Sequence, residues 1–207
     1  MINTSLDQIK KSVEKDLNLQ IISGRCLLDR LCVINENSRK TSAYLDHKYA
    51  PFYYHLGKHL NPNSFLEIGF NIGLLGSCFL TSCKTVKKFF GFKEKNEEFI
   101  PTRIGKINIK KFVKNIEIYT GQLYDDYFYK KLKENWNIIL INEEKDFDKQ
   151  LEYMETVWPN LSNDGILIVE YVNSHEPSKL ALRVFCERKN IEPIIFDTRY
   201  GTALIPK

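Results

Sequence analysis

The sequence predicts an α/β fold: a doubly wound sheet of seven strands, mostly parallel, closed by a C-terminal antiparallel hairpin and preceded by N-terminal helices. Three observations carry this. After Pro62 short apolar runs alternate with helical segments, which implies parallel strands joined by right-handed crossovers. Only Asp197-Thr198-Arg199-Tyr200-Gly201-Thr202 separates the last two runs, too few residues for a crossover helix, so those strands pair as a hairpin. Before residue 60 the spacing is helical instead.

From the N-terminus, Ser5-Leu6-Asp7-Gln8 has the form of a capping box, and Leu6, Ile9, Val13 and Leu17 then share one helical face. A second, less regular apolar set follows at Cys26, Leu27, Leu28 and Leu31. A third helix is expected to begin at Pro51, a favoured first-turn residue. Strands are expected near 64–69, 88–93, 116–120, 137–142, 165–171, 192–197 and 201–206, with helices over 74–84, 96–113, 125–135, 148–161 and 177–189. Of these helices 148–161 is the clearest, with Leu151, Met154, Val157, Trp158 and Leu161 on one stripe. Asn163-Asp164-Gly165 then reads as the turn into the run Ile166-Leu167-Ile168-Val169. Residues 1–60 thus form a helical extension and 61–207 the α/β domain, together one compact unit.

At 207 residues the chain suits one well-buried core, and 43% hydrophobic with 27% charged residues is the balance of an ordinary globular protein. Thirty basic against 26 acidic residues leave a net +4, too mild and too scattered to point to nucleic acid. Five cysteines, an odd number without a C-x-x-C pair, read as reduced thiols of a cytoplasmic protein. No apolar run approaches the roughly 18 residues of a membrane span, and no apolar leader follows Met1. The abundance of Lys, Asn and Ile suggests an AT-rich genome, viral or bacterial, and a viral source would place the chain in a virion.

In an open α/β sheet, ligands bind beyond the carboxyl ends of the strands, where the first strand turns into its helix. Here that turn is Glu67-Ile68-Gly69-Phe70-Asn71-Ile72-Gly73. Its glycine spacing is not the G-x-G-x-x-G of a pyrophosphate loop, which weighs against a nicotinamide-dependent dehydrogenase, and no phosphate loop of the G-x-x-x-x-G-K-[ST] type is present.

The pattern E-x-G-x-N-x-G resembles motif I of class I S-adenosylmethionine-dependent methyltransferases, and the chain from about residue 60 onward is most similar to the small-molecule O-methyltransferase branch of that Rossmann-like family. The resemblance implies S-adenosylmethionine as cofactor, held through Glu67, Gly69, Asn71 and Gly73 around its methionine portion. It further implies an acidic residue at the end of the second strand on the ribose, a residue after the third near the adenine, and one ending the fourth near the methionine or the acceptor. In this sequence those positions hold Lys93 with Glu94 one residue late, Gln122, and Asn142. Because side chains alternate along a strand, Glu94 is expected to point away from Lys93 unless a bulge intervenes. Metal-dependent relatives keep an Asp where this chain has Glu170. Asn142 and Glu170 offer two hard oxygens and Tyr171 a poor third, so no metal is expected.

Three residues are candidates for a general base. His175 follows the fifth strand at the edge where acceptors bind, although that loop also reads as a helix cap in which Asn173 or Ser174 takes part. Asp46 and His47 precede the helix leading into the sheet, where such a segment can cover the cofactor; a surface-loop histidine is the favoured reading of the pair. His55 and His59 have metal-ligand spacing but no third ligand in view.

No [DN]-P-P-[YF] tetrad follows Asn142 and no Pro-Cys occurs, so a DNA base is not the expected substrate. Two readings follow. One is methyl transfer to an oxygen or nitrogen of a small-molecule acceptor. The other is a degenerate relative retained as a structural or assembly module, with a protein partner or self-association through the N-terminal helices. The glycine loop favours the first, and the altered strand-end residues the second.

Overall fold

The structure is a computed structural model that describes residues 6–19, 49–95 and 102–207. Its elements are α1 (Leu6–Asn18), α2 (Tyr49–Leu60), β1 (Ser64–Ile68), α3 (Leu74–Ser82), β2 (Lys88–Glu94), α4 (Thr102–Lys110), β3 (Asn115–Gly121) and α5 (Asp126–Leu132), followed by β4 (Trp136–Ile141), α6 (Phe147–Val157), β5 (Leu161–Glu170), α7 (Glu176–Lys189), β6 (Ile194–Phe196) and β7 (Thr202–Pro206). The seven strands form one sheet in the order β3-β2-β1-β4-β5-β7-β6. Pairs from β3 through β5 are parallel, and β7 runs antiparallel to both β5 and β6. The expected α/β class, crossovers and terminal hairpin are all present.

The order reverses between β1 and β4, because β2 and β3 lie on one side of β1 while β4 and β5 lie on the other. This reversal opens a crevice at the carboxyl ends of β1 and β4, the usual ligand position in such sheets. All five residues of β1 are buried, as expected for a central parallel strand covered on both faces.

Alternation sorts the sheet's side chains into two cores. Phe65, Ile138, Leu140, Ile166, Ile168 and Leu204 face the layer of α1 to α4. Leu66, Phe90, Phe92, Ile139, Ile141 and Leu167 face α5, α6 and α7. Phe52, Tyr53 and Leu56 of α2 are fully buried within the first core, so this helix belongs to the same packed body as the sheet. The buried face of α1 carries Ile9 and Val13. Its Asp16 accepts from Lys58 at 2.8 Å and lies 3.0 Å from His59 Nε2 and 3.4 Å from His55 Nδ1, which fastens α1 to α2. The two histidines of metal-ligand spacing therefore converge on one carboxylate.

Two boundaries differ from expectation. Pro51 sits in the first turn of α2, which already includes Tyr49. The fourth helix is described from Thr102 onward, and the start expected near 96 lies outside the described residues. β5 begins at Leu161, because Asn163-Asp164-Gly165 forms a bulge instead of a turn: the register passes from Trp136↔Leu161 to Ile138↔Ile166. The apolar set at Cys26 to Leu31 lies outside the described residues. No described helix is long and apolar enough to cross a membrane.

Candidate functional site

The loop after β1 is fixed from both sides. Asn142 N–H donates to Ile68 O at 2.9 Å and Phe70 N–H donates to Phe92 O at 2.9 Å, so the loop remains in register with its neighbours one residue past the strand. Gly69 has φ 81, and a Cβ there would lie 2.3 Å from Asn142 O and from Glu143 Cγ. No other residue fits. The bulky Phe70 turns away from the crevice into the first core, where its ring fills the space left by Gly91 and Gly105. Gly73, φ 71, is the N-cap residue of α3, and Asn108 Nδ2 holds the carbonyl of Ile72 at 2.9 Å.

Beneath this loop Glu67 is buried. Burial pushes its carboxyl up to about 8, opposed in part by the Gly76 N–H that it accepts. The Oε2 atom is buried without a hydrogen-bond partner. Glu67 thus supports the start of α3 from below and does not line the crevice.

Above the loop is a cavity of about 350 Å³. Gly69, Asn71 and Lys93 line one part of it, and Asn142, Glu143 and Glu144, with Tyr171 and Tyr200, line the rest. Its volume falls within the roughly 300–1,000 Å³ of small-molecule sites. A larger, more apolar groove of about 660 Å³ runs along the outer side of α7 past Leu180, Cys186 and Ile195, away from the glycine loop.

Of the residues expected around a cofactor, the structure brings Gly69, Asn71 and Asn142 to this cavity. At the end of β2 the pairing with β1 and β3 runs without a bulge, so Lys93 faces the cavity and Glu94 the opposite core. There Glu94 accepts from Tyr153 OH at 3.1 Å and pairs with Lys145 at 3.3 Å and Lys149 at 3.7 Å. Burial, then the Glu143 and Glu94 carboxylates, raise the Tyr153 phenol far above its ordinary range. Gln122 stands exposed past β3, its N–H donating to Asp125 Oδ2 at 2.8 Å.

His175 is the N-cap residue of α7, with Nδ1 2.9 Å from Ser178 Oγ, and does not line the cavity. Asp46 and His47 lie outside the described residues. Glu170 is fully buried and accepts from Tyr53 OH and, at 2.7 Å, from Thr202 Oγ1. Among the described residues no three His, Cys, Asp or Glu side chains are grouped to hold a metal ion.

Tyr171, Tyr200, Glu143 and Glu144 are cavity residues that the motif spacing does not single out. Tyr171 has φ 67, a region a bulky side chain enters only when its surroundings force it. The forcing contacts are visible. Its hydroxyl donates to Asn142 Oδ1 at 3.3 Å, and its ring packs on Tyr200 at 5.3 Å. Burial, then the nearby Glu170 and Glu144, raise its phenol as well. Tyr200 is held in turn because its carbonyl accepts from Asn173 N at 2.9 Å, Ser174 N at 3.2 Å and Ser174 Oγ at 3.3 Å. The tip of the β6–β7 hairpin is thereby pinned over the cavity.

The sequence matches no family model and no curated protein. The fold, however, matches solved structures along almost the whole chain. An O-methyltransferase from Streptomyces achromogenes involved in tomaymycin synthesis, in complex with S-adenosylmethionine, has a TM-score of 0.61 at 12% identity, over 95% of this chain and 97% of that one. A Podospora anserina methyltransferase bound to S-adenosylhomocysteine has a TM-score of 0.59 at 15% identity, over 97% and 94%. An O-methyltransferase from Bacillus cereus, also with S-adenosylhomocysteine, has a TM-score of 0.58 at 14% identity, over 95% and 91%. At such identities the likeness establishes architecture: the chain has the class I, O-methyltransferase-like fold.

Proposed function

We propose that the chain binds S-adenosylmethionine in the cavity above the Gly69–Gly73 loop and transfers its methyl group to an oxygen or nitrogen of a small molecule. The observation that carries this is the polar cavity between the glycine loop and the end of β4, at the strand-order reversal where the fold places ligands. The same-fold O-methyltransferases holding S-adenosylmethionine or S-adenosylhomocysteine support the reading.

In this reading Gly69, Asn71 and Asn142 surround the amino acid portion of the cofactor, with Gly73 setting the loop's exit into α3. Glu67 acts from beneath by fixing the loop. The ribose side meets Lys93 in place of a carboxylate, because Glu94 serves the opposite core. The adenine lies toward Gln122 at the end of β3. When bound, the cofactor supplies an electrophilic methyl group; the protein's part is to align the acceptor with it. Tyr171 and Tyr200 form the wall opposite Lys93 and are the acceptor side. His175 bonds Ser178 at the start of α7 and does not line the cavity, so the Asp46 and His47 segment is the alternative source of a base. Cys78, Cys83 and Cys186 are buried, in keeping with the cytoplasmic setting of this reading.

Calorimetric titration with S-adenosylmethionine and S-adenosylhomocysteine tests this. Dissociation constants in the micromolar range, about −8 kcal/mol, are expected. No heat at millimolar ligand overturns the proposal.

A further inference from the structure

The fold gathers into one row positive charge that the chain as a whole spreads out. From Thr102 to Ile116 the sequence carries Arg103, Lys106, Lys110, Lys111 and Lys114 and no Asp or Glu, so this stretch holds more positive charge than the whole chain's excess of +4. In α4 Arg103, Lys106 and Lys110 stand at i, i+3 and i+7 with Ile107 among them, and all four are exposed. The opposite face is buried at Gly105 and Asn108, which pack on the glycine loop. Lys111 and Lys114 continue the row past the helix. Exposed Lys87 lies beside Lys114, because Lys88 pairs with Asn115 in the β2–β3 register. Among the described residues none of Lys87, Arg103, Lys106, Lys110 and Lys114 makes an ion pair. The layer of α5 to α7 is built differently. There Lys131 pairs with Glu117 and Glu134, Lys179 with Glu176, Arg183 with Glu187 and Lys189 with Glu155. Helix stability does not explain the row: the dipole of α4 favours a cation at Lys110 but opposes one at Arg103 in the first turn, and Lys106 and Lys110, four apart, repel.

We propose that this row binds the phosphate backbone of a nucleic acid, without regard to base sequence. Successive cations of α4 are separated by about 4.5–6 Å along its axis, and a nucleic-acid strand presents a charge about every 3.4 Å. A fixed row of cations therefore meets phosphates along its length and releases their condensed counterions, the term that drives sequence-independent binding. None of the exposed residues from 102 to 116 is aromatic, so the face offers bases nothing to stack on and the contact is to phosphates. An anionic membrane would meet the same charges. A helix held at a bilayer surface, however, inserts several large apolar side chains, and here only Ile107 projects. The row begins two residues from Gly105, which abuts Asn71 of the glycine loop, so a bound strand lies beside the loop that borders the cavity. The proposal stands independently of the cofactor assigned to that cavity.

The test is fluorescence anisotropy of the full chain with a labelled single-stranded RNA of mixed sequence, about 20 nucleotides long, titrated between about 50 and about 200 mM salt. Engagement of about five phosphates predicts a slope of log affinity against log salt of about −3.5, so affinity is expected to fall about 100-fold over that range. Lys106→Glu/Lys110→Glu is expected to weaken binding at least ~10-fold at the lower salt and to reduce the slope by roughly one per lysine. Lys179→Glu/Arg183→Glu changes the net charge equally, at exposed positions of α7, and is expected to leave binding within about 2-fold of wild type. Matching thermal midpoints check that each variant folds. Lys106→Gln/Lys110→Gln, which removes charge without reversing it, serves if the first variant does not. No binding at the lower salt, binding that ignores salt, or an equal loss in the α7 variant overturns the proposal. Binding to vesicles of phosphatidylserine and phosphatidylcholine without binding to RNA overturns it in favour of a membrane surface.

Discussion

The buried carboxyl of Glu67 accepts the backbone N–H of Gly76, three residues into α3, and so joins the central strand to the helix that its glycine loop begins. The contact supports the loop from the core side, while the ligand side of the same loop is left to Gly69 and Asn71.

Burial raises the Glu67 carboxyl from 4.5 to about 8, so the folded state holds its proton more tightly than the unfolded chain does. The stability this provides is complete below about pH 4.5 and is lost as the pH rises toward 8. Each pH unit of that window is worth at most about 1.4 kcal/mol. Glu67→Gln keeps the neutral shape at every pH. Urea unfolding at pH 5 and pH 8 should therefore show wild type losing stability relative to Glu67→Gln at the higher pH, and parallel behaviour of the two proteins would refute it.

Phe70 ties the glycine loop to α4 through Gly105. A Cβ at Gly105 would fall 2.5 Å from the Phe70 ring and 2.7 Å from Asn71 O. Gly105→Ala is expected to cost about 1–3 kcal/mol by overpacking. Because Asn71 is displaced with the loop, nucleoside binding should weaken as well. Thermal unfolding and ligand titration of the variant read the two effects separately, and a variant with wild-type values in both would show the loop to be independent of α4.

The backbone at Tyr171 provides a cleaner comparison. Tyr171→Ala and Tyr171→Gly both remove the hydroxyl bonded to Asn142 and the ring packed on Tyr200. Only glycine is unstrained at φ 67. The glycine variant is therefore expected to be the more stable of the two by about 1 kcal/mol, reversing the usual penalty for glycine. Equal midpoints in chemical denaturation would contradict a strained Tyr171.

The α1–α2 clasp should loosen in acid. Burial raises the Asp16 carboxyl, but bonds from Lys58 and His59 outweigh it and hold the group below its ordinary 3.8. Its contribution is present above that value and lost as the pH falls through the lowered one. His55 is held below its ordinary 6.5, by burial first and against the pull of Asp16. The folded state therefore disfavours its protonation, and stability declines as the pH falls below about 6.5. Hydrogen exchange of α1 amides is expected to rise relative to those of β1 between pH 7 and pH 5, after correction for intrinsic rates. Unchanged relative protection would remove the clasp's role.

Much of this architecture is legible in the sequence because periodicity reports burial. The run Ile138-Ile139-Leu140-Ile141 has no polar face and becomes a central strand, and six residues between Phe196 and Ala203 leave room only for a hairpin. Alternation likewise indicates that Lys93 and Glu94 face opposite sides. Turn chemistry misleads at Asn163-Asp164-Gly165, since residues suited to reversal also suit a bulge, and the pairing of Trp136 with Leu161 decides between them. The site is less legible than the sheet. Tyr200 reaches the cavity through carbonyl bonds to Asn173 and Ser174, and Tyr171 through a backbone conformation its residue type disfavours. Neither feature leaves a spacing signature.

The most direct measurement is a crystal structure of the full chain grown with S-adenosylhomocysteine. The ligand is expected in the cavity above Gly69, its amino acid portion beside Asn71 and Asn142 and its ribose toward Lys93. Ligand density elsewhere, such as the groove along α7, or none at saturating ligand, would contradict it.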